Sequence, residues 1–303
     1  MKSAGNSIFR MCSRLVPALI FATVGVHAQE PLRDTMVARI AAAPGAVVAV
    51  SFNDLQTGEH VELNADTVFH AASTMKVPVM IELLRRSQQG AFSLDQDVLL
   101  VNTFASLADG SPFSLNKADD DDTTLYARIG DRVTIRELLR RMITRSSNLA
   151  TNELIALVGA SNVTATARSL GAVNTHVLRG VEDQKAFDAG LINTTTAADL
   201  AVLMNAIEDG KVLSSSMSAE MRDILLAQEE NGKIPAGLPP GTRVAHKTGE
   251  ITAVSHDAAI VYPNGRKPYI LVVLTRGIKD SMQSAALIAD ISRITYSHAM
   301  AAH

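Results

Sequence analysis

Ser73 and Lys76 have the residue types and the spacing of a nucleophile with its base. They lie three residues apart, directly before a helical apolar pattern over Val77–Arg86, so both are expected on one face of a helix start. A buried lysine with a lowered pKa can take the proton of a serine hydroxyl. A helix N-terminus adds N–H groups and a dipole that stabilise a developing oxyanion. The spacing alone is not specific, since Ser114 and Lys117 repeat it in an acidic stretch.

A second polar cluster, Ser146-Ser147-Asn148, lies between two helical patterns. A loop that joins two helices can present a hydroxyl that relays protons and an amide that orients a substrate carbonyl. The alternative is ordinary capping, because serine and asparagine are favoured at helix starts. The cluster therefore predicts either a proton relay or a helix cap.

The third cluster, His246-Lys247-Thr248-Gly249, follows an apolar run typical of a strand. A lysine and a hydroxyl at such a place can hold a substrate carboxylate. Glycine permits close approach of the backbone to a ligand or to another segment. The alternative is a strand end with no function.

In this order the clusters resemble the Ser-x-x-Lys, Ser-Asp-Asn and Lys-Thr-Gly motifs of class A β-lactamases and penicillin-binding proteins, which are penicillin-recognising serine hydrolases. The resemblance extends over essentially the whole chain after its N-terminal segment. It implies a serine that is acylated by a β-lactam and an oxyanion hole made by the N–H groups of Ser73 and Glu250. It also implies catalytic roles for Ser73, Lys76 and Ser146, and substrate binding by Asn148, Lys247, Thr248 and Gly249.

Glu182 lies where class A members have the omega-loop glutamate that releases the acyl group. Near an acyl ester, a carboxylate can activate the attacking water, so the resemblance implies a catalytic role for Glu182. The alternative is a surface glutamate in the polar segment Arg179–Asp183. Whether Lys76 or Glu182 takes the serine proton stays open.

The chain departs from the family pattern at three places. Ser147 replaces the aspartate of Ser-Asp-Asn, and we expect this to affect loop support more than chemistry. Ala186 stands where the family often has an asparagine that helps to hold the water, so the group that holds it here is left open. The arginine often found on the strand after Lys-Thr-Gly has no match; His256 in Ser255-His256-Asp257 either assists carboxylate binding or packs for structure.

The periodicities predict an α+β fold of three layers (α-β-α), in which a five-stranded, mainly antiparallel sheet is flanked by helices. The sheet is drawn from both chain ends, and a helical half is inserted between them. We expect an α/β half from residues 29–70 and 211–303 and a helical half from residues 71–210, with the cleft where they meet. The expected strands are Ala46–Phe52, His60–Leu63, Thr242–Lys247, Ala258–Tyr262 and Tyr269–Thr275.

The segment Asn102–Asp122 fits neither helix nor strand. It contains Gly110, Pro112 and the four aspartates Asp119–Asp122, so we expect a long solvated loop. The aspartates lack the alternating ligands and the glycine of an EF-hand. No metal site and no organic cofactor are predicted.

The first 28 residues have the pattern of a secretory signal peptide. Basic residues precede the apolar run Leu15–Val26, and Val26-His27-Ala28 is a small-x-small cleavage site. Cleavage after Ala28 predicts a periplasmic or secreted protein, and it removes Cys12, the only cysteine. The mature chain is therefore expected to have no disulfide and no thiol nucleophile.

The composition restricts the classes of partner that the protein is expected to bind. A formal charge of −3 and an aromatic content of 4%, without a basic stripe, argue against nucleic acid or a membrane as partner. We expect a monomer that acts on a small-molecule β-lactam and hydrolyses it through an acyl-enzyme. One alternative is a D-Ala-D-Ala carboxypeptidase or an esterase that uses the same serine, for which Glu182 would be unnecessary. The other is a non-catalytic β-lactam sensor, which would need a membrane segment or a signalling domain.

Overall fold

The computed structural model describes residue 1 and residues 29–301. Its strands are β1 (Val47–Asp54), β2 (His60–Leu63), β3 (Phe69–His70), β4 (Asp97–Leu99), β5 (Phe104–Ala105), β6 (Pro112–Phe113), β7 (Arg132–Thr134), β8 (Thr194–Thr195), β9 (Arg243–Ile251), β10 (Val254–Tyr262) and β11 (Tyr269–Arg276). Its α-helices are α1 (Gln29–Ala41), α2 (Lys76–Gln88), α3 (Ile135–Thr144), α4 (Asn148–Val158), α5 (Ala160–Ser169), α6 (Gln184–Asp188), α7 (Ala197–Glu208), α8 (Ser215–Leu226) and α9 (Ser281–Ala301).

A five-stranded antiparallel sheet in the order β2-β1-β11-β10-β9 confirms the predicted architecture. Each of the five predicted runs corresponds to one strand. Strands β9 and β10 are longer than predicted, because their central polar residues are buried and paired within the sheet. Strand β9 forms one edge of the sheet and carries the Lys-Thr-Gly cluster, so one side of that strand is free to meet other groups.

Alternating side chains of the sheet enter two separate apolar cores. Val48, Val50 and Phe52 of β1 point to one face, where they join residues of α1 and α9. Ala49, between them, points to the opposite face, which is covered by α7 and α8 and shares its apolar core with the helices of residues 71–210. Because successive strand residues face opposite sides, β1 and β11 are buried on both faces. This arrangement gives the predicted three layers.

Several of the inserted helices, α3 and α7 among them, begin at side-chain caps. Thr134 Oγ1 accepts from Glu137 N at 3.1 Å, and Thr196 Oγ1 accepts from Asp199 N at 3.0 Å, which satisfies N–H groups that lack a helical partner. The division of the chain into two halves at residues 70 and 210 stays a prediction.

The acidic segment is not a solvated loop throughout, so this prediction was wrong in part. Strands β5 and β6 pair within it, and Asp120 and Asp122 are only 5% and 2% exposed. Asp122 pairs with Arg141 on α3 at 2.7 Å. Asp120 accepts four hydrogen bonds, which is how a buried carboxylate is stabilised. Asp119 and Asp121 are exposed, as predicted.

The signal-peptide prediction lies outside the described residues. Within residues 29–301, no helix combines the length and the apolar character required to cross a membrane.

Candidate active site

Ser73 lies at the junction of the sheet edge and the inserted helices. It belongs to a 3₁₀ turn, Ala72–Met75, that leads into α2. Gly249 on β9 approaches this turn so closely that a Cβ there would lie 3.0 Å from the backbone nitrogens of both Ser73 and Thr74. Only glycine fits without displacing backbone. The fold therefore brings the first and third clusters together at Ser73.

Two cavities flank Ser73, and Ser73, Asn148 and Glu250 line both of them. The larger, of about 550 Å³, extends past Thr248 towards Glu230 and Lys233. The other lies against Glu182, Arg179 and His70. The larger volume is within the range of small-molecule sites.

Lys76, Ser146 and Lys247 form what we call the lysine floor. Lys76 Nζ donates to Ser146 O at 2.6 Å, to Ser146 Oγ at 3.1 Å and to Asn148 Oδ1 at 3.0 Å. Lys247 Nζ donates to the same Ser146 Oγ at 3.0 Å. Both lysines are fully buried. Since Ser146 Oγ accepts from two lysines, its own hydrogen is left to donate elsewhere.

The pKa values of both lysines in the floor are lowered, mainly by burial. Burial, followed by repulsion from Lys247, lowers the pKa of Lys76 to about 7. Burial is also the main cause that lowers the pKa of Lys247, to about 8. Near neutral pH, Lys76 therefore exchanges between an ammonium and an amine whose lone pair can accept a proton. Within the described residues, the hydroxyl of Ser73 makes no hydrogen bond.

Glu182 reaches the floor through Asn148. Asn148 Nδ2 donates to Glu182 Oε1 at 2.6 Å, while Asn148 Oδ1 accepts from Lys76. Glu182 is half-buried, and burial raises the pKa of its carboxyl group. One amide thus joins the two candidate bases.

We call the segment Arg179–Asp183, which contains Glu182, the Glu182 loop. Hydrogen bonds to neighbouring residues hold this loop in place. Asn152 Oδ1 accepts from Val181 N at 2.7 Å, and Asn152 Nδ2 donates to Val181 O at 3.1 Å. A Cβ on Gly180 would lie 2.2 Å from Asn152 Oδ1, so this clamp requires glycine. Asp183 accepts from Ser106 Oγ and from Leu107 N, both at 2.7 Å.

Backbone strain is concentrated at the site. Five described non-glycine residues have a positive φ, and three of them belong to the site. They are Ala72, which precedes Ser73, with φ of 44°, Ser146 with φ of 58° and Glu182 with φ of 60°. Such conformations cost about 1–3 kcal/mol each and persist where surrounding contacts determine them. This strain is a sign of function that is independent of the motifs.

Asp120 supports the second cluster, where the sequence lacks the expected aspartate. Asp120 Oδ2 accepts from Asn148 N at 3.0 Å, from Leu149 N at 2.9 Å and from Tyr126 Oη at 3.0 Å. Ser147 acts only as a helix cap, accepting from Ala150 N at 3.3 Å. No pattern in the linear sequence connects Asp120 to this loop, since 28 residues separate it from Asn148.

His256 packs for structure. It is fully buried, its Nε2 lies 2.9 Å from His70 O, and burial lowers its pKa to about 4. A neutral ring cannot attract a carboxylate by charge. Lys233, which the sequence analysis missed, is instead the cation that lines the larger cavity, and it pairs with Glu250 at 3.0 Å. As a single lysine in an irregular segment it left no signal in the sequence.

His70, and not Ala186, lines the cavity next to the Glu182 loop. Ala186 is fully buried and does not line the cavity there. His70 does line it, and His70 Nδ1 accepts from Ala72 N at 3.0 Å. Burial and the charge of Arg179 lower the pKa of His70. The neutral ring therefore carries its hydrogen on Nε2, which can donate to a water in this cavity.

Over residues 31–299 the chain matches the family described as the Beta-lactamase enzyme family. It is 31% identical over 266 residues to the β-lactamase AST-1 of Nocardia asteroides, covering 86% of this chain and 82% of that protein. An ancestral class A β-lactamase is 27% identical with a TM-score of 0.76, covering 88% of this chain and 99% of that chain. The structure of PBP-A is 26% identical with a TM-score of 0.76, covering 88% and 95% respectively.

Proposed function

The chain belongs to the β-lactamase enzyme family, and we propose that it is a class A serine hydrolase that opens β-lactams through an acyl ester on Ser73. The observation that carries the proposal is the continuous connection from Glu182 through Asn148 to Lys76, which places a candidate base for water beside the floor that serves the serine. A carboxypeptidase that uses the same serine would not need this carboxylate.

In the acylation step, Ser73 Oγ attacks the β-lactam carbonyl carbon and gives its proton to the unprotonated amine of Lys76. The N–H groups of Ser73 and Glu250 stabilise the oxyanion. The C–N bond then breaks, and Ser146 donates its proton to the leaving nitrogen. Ser146 recovers a proton from Lys76, which returns that lysine to its amine form.

In this scheme, residues of the second and third clusters bind the substrate. Asn148 orients the substrate, Thr248 binds its carboxylate while the buried Lys247 supplies positive charge for it, and Gly249 lets the strand edge approach the serine. Lys247 serves as a cation here, in contrast to Lys76, because its pKa stays higher.

In the deacylation step, Glu182 takes a proton from a water that attacks the ester carbon, and the ester oxygen leaves as the Ser73 hydroxyl. The raised pKa of Glu182 suits this role, because a base is most effective when its pKa lies nearer the working pH. Glu182 also remains a candidate to share removal of the serine proton.

Turnover of a chromogenic cephalosporin and of a D-Ala-D-Ala peptide tests the proposal. We expect the protein to turn over the cephalosporin and not the peptide, and Glu182→Gln to lower kcat about a thousandfold. Glu153→Gln is the matched control, since Glu153 is also a half-buried glutamate with a raised pKa but lines neither cavity beside Ser73. Faster turnover of the peptide, or full activity in Glu182→Gln, would reject the assignment.

We further propose that the protein is exported, with cleavage after Ala28, and works as a monomer in the periplasm or outside the cell. The signal pattern of the first 28 residues supports export. N-terminal sequencing of protein from the periplasmic fraction should begin at Gln29, and size-exclusion chromatography should give the mass of one mature chain. An uncleaved N-terminus in the cytoplasm, or a dimer mass, would contradict these statements.

A further inference from the structure

One end of the larger cavity contains Thr248 and Lys233. Carboxylates of the protein itself already bind these groups. Glu230 accepts a hydrogen bond from Thr248 Oγ1. Lys247, this hydrogen bond and Lys233 together lower the pKa of Glu230 below its ordinary value despite its burial. Glu250 pairs with Lys233. The position expected to receive the carboxylate of a β-lactam therefore contains an ionised glutamate when the site is free.

Other residues that line the cavity add negative charge. Asp121 lines it and forms no ion pair or hydrogen bond within the part of the chain that the structure describes. Asp121 is accessible to solvent, but its partial enclosure in the cavity, followed by the charge of Glu230, raises its pKa. Asp121 and Glu230 line the same cavity. The carboxylates that line the cavity are Asp119, Asp121, Glu230 and Glu250, and the only lysine in this lining is Lys233. Even with the buried Lys76 and Lys247 included, carboxylates are in excess.

We propose, on the basis of the proposed function, that Glu230 occupies the substrate-carboxylate position of the free enzyme. Together with Asp121, Glu230 then makes the cleft select β-lactams that carry a cationic substituent beside their carboxylate. An incoming carboxylate must take the Thr248 hydroxyl from Glu230, which then loses its hydrogen bond. A substrate with a neutral substituent leaves the displaced Glu230 without compensation. A substrate with an adjacent cation gives Glu230 and Asp121 a new partner, so it binds at a smaller cost.

Two cephalosporins with the same thienylacetamido side chain test this selection: one carries a neutral acetoxymethyl group at C3, and the other a cationic pyridiniummethyl group. Their intrinsic reactivities differ, so the informative quantity is the change between protein variants in the ratio of their kcat/KM values. In Glu230→Gln, we expect the ratio of cationic to neutral substrate to fall about tenfold, mainly because KM for the neutral one decreases. In Asp121→Asn we expect a smaller fall, about threefold, because Asp121 does not contact Thr248.

Glu229→Gln is the matched control. Glu229 is the neighbouring residue, is exposed, and pairs with Arg145 away from the cavity. We expect the ratio to be unchanged in this variant. An unchanged ratio in Glu230→Gln, or an equal fall in Glu229→Gln, would overturn the inference.

A measurement on the unmodified protein covers the case in which Glu230→Gln does not fold. Raising the salt concentration from about 0.01 M to about 0.5 M shortens the screening length several-fold. KM for the acetoxymethyl cephalosporin should then fall, while KM for the pyridinium compound should stay constant or rise. The opposite dependence would overturn the inference. Failure of the unmodified protein to turn over either compound would instead reject the proposed function.

Discussion

The lysine floor and the Glu182 loop contact each other through one amide but are held in place by different means. The floor residues project from a helix, a strand and the turn before α4, and both lysines are fully buried. The Glu182 loop has little regular structure and depends on hydrogen bonds from Asn152 and on the absence of a side chain at Gly180. The difference indicates that acylation and deacylation can be impaired separately.

The largest effect should come from breaking the floor. Lys76→Met removes the base and the group that reprotonates Ser146, so kcat/KM for a penicillin should fall about a thousandfold because acylation is lost. Stopped-flow kinetics of acyl-enzyme formation would measure it. Lys185→Met, which changes an exposed lysine paired with Asp109, is the control and should retain activity. Rapid acylation in Lys76→Met would show that Glu182 alone is the base.

A smaller effect confined to deacylation should follow from Gly180→Ala. The new Cβ would lie 2.2 Å from Asn152 Oδ1, and displacing this clamp should cost about 1–3 kcal/mol. Deacylation should slow about tenfold while acylation changes by less than about twofold. Single-turnover kinetics separate the two rates.

Urea unfolding measures the cost in stability, and Gly232→Ala controls for the loss of a glycine in that measurement, because the Cβ there meets nothing within 4 Å and φ is not positive. Gly232 lines the larger cavity, so it is not used as a control for the kinetics. Equal slowing of both steps in Gly180→Ala would contradict the separation of the two regions.

Asp120→Asn should impair both regions, because Asp120 holds the backbone of Asn148, which contacts Lys76 on one side and Glu182 on the other. Weakening charge-assisted hydrogen bonds should cost about 1.5 kcal/mol, and each step should slow about tenfold. Asp131→Asn removes an aspartate that is 63% exposed and should change neither rate. An effect of Asp120→Asn on one step only would show that it supports one region rather than their junction.

The smallest effect is the pH dependence of kcat/KM. The amine form of Lys76 is the active one, so the rate should rise about fivefold between pH 6 and pH 7, as a group with a pKa of about 7 loses its proton. It should fall above pH 8, where Lys247 loses its charge. A rate that is flat between pH 6 and pH 7 would assign the serine proton to Glu182.

The strands and the three clusters could be predicted because apolar alternation and short motifs are local. The strand ends were harder: Lys247, Thr248, His256 and Asp257 are buried polar residues, so β9 and β10 appear interrupted in the sequence. Hydrogen bonds and ion pairs within the fold compensate for their burial. These contacts cannot be read from the linear sequence.

The roles of Asp120 and Glu230 could not be predicted for a related reason. Both contact the clusters across long separations, with Asp120 bonded to Asn148 28 residues away and Glu230 to Thr248 18 residues away. In the sequence, one belongs to an acidic run and the other to an irregular segment. Only the folded chain distinguishes Asp120, which is buried, from the exposed aspartates on either side of it.

The most direct test of the account is the mass of the intact protein over time after mixing with a penicillin. We predict a short-lived adduct on the unmodified protein, a persistent adduct of one penicillin in Glu182→Gln, and none in Ser73→Ala. An adduct in Ser73→Ala, or turnover by the unmodified protein while Glu182→Gln never accumulates an adduct, would contradict the assignment of the two steps to the floor and the loop.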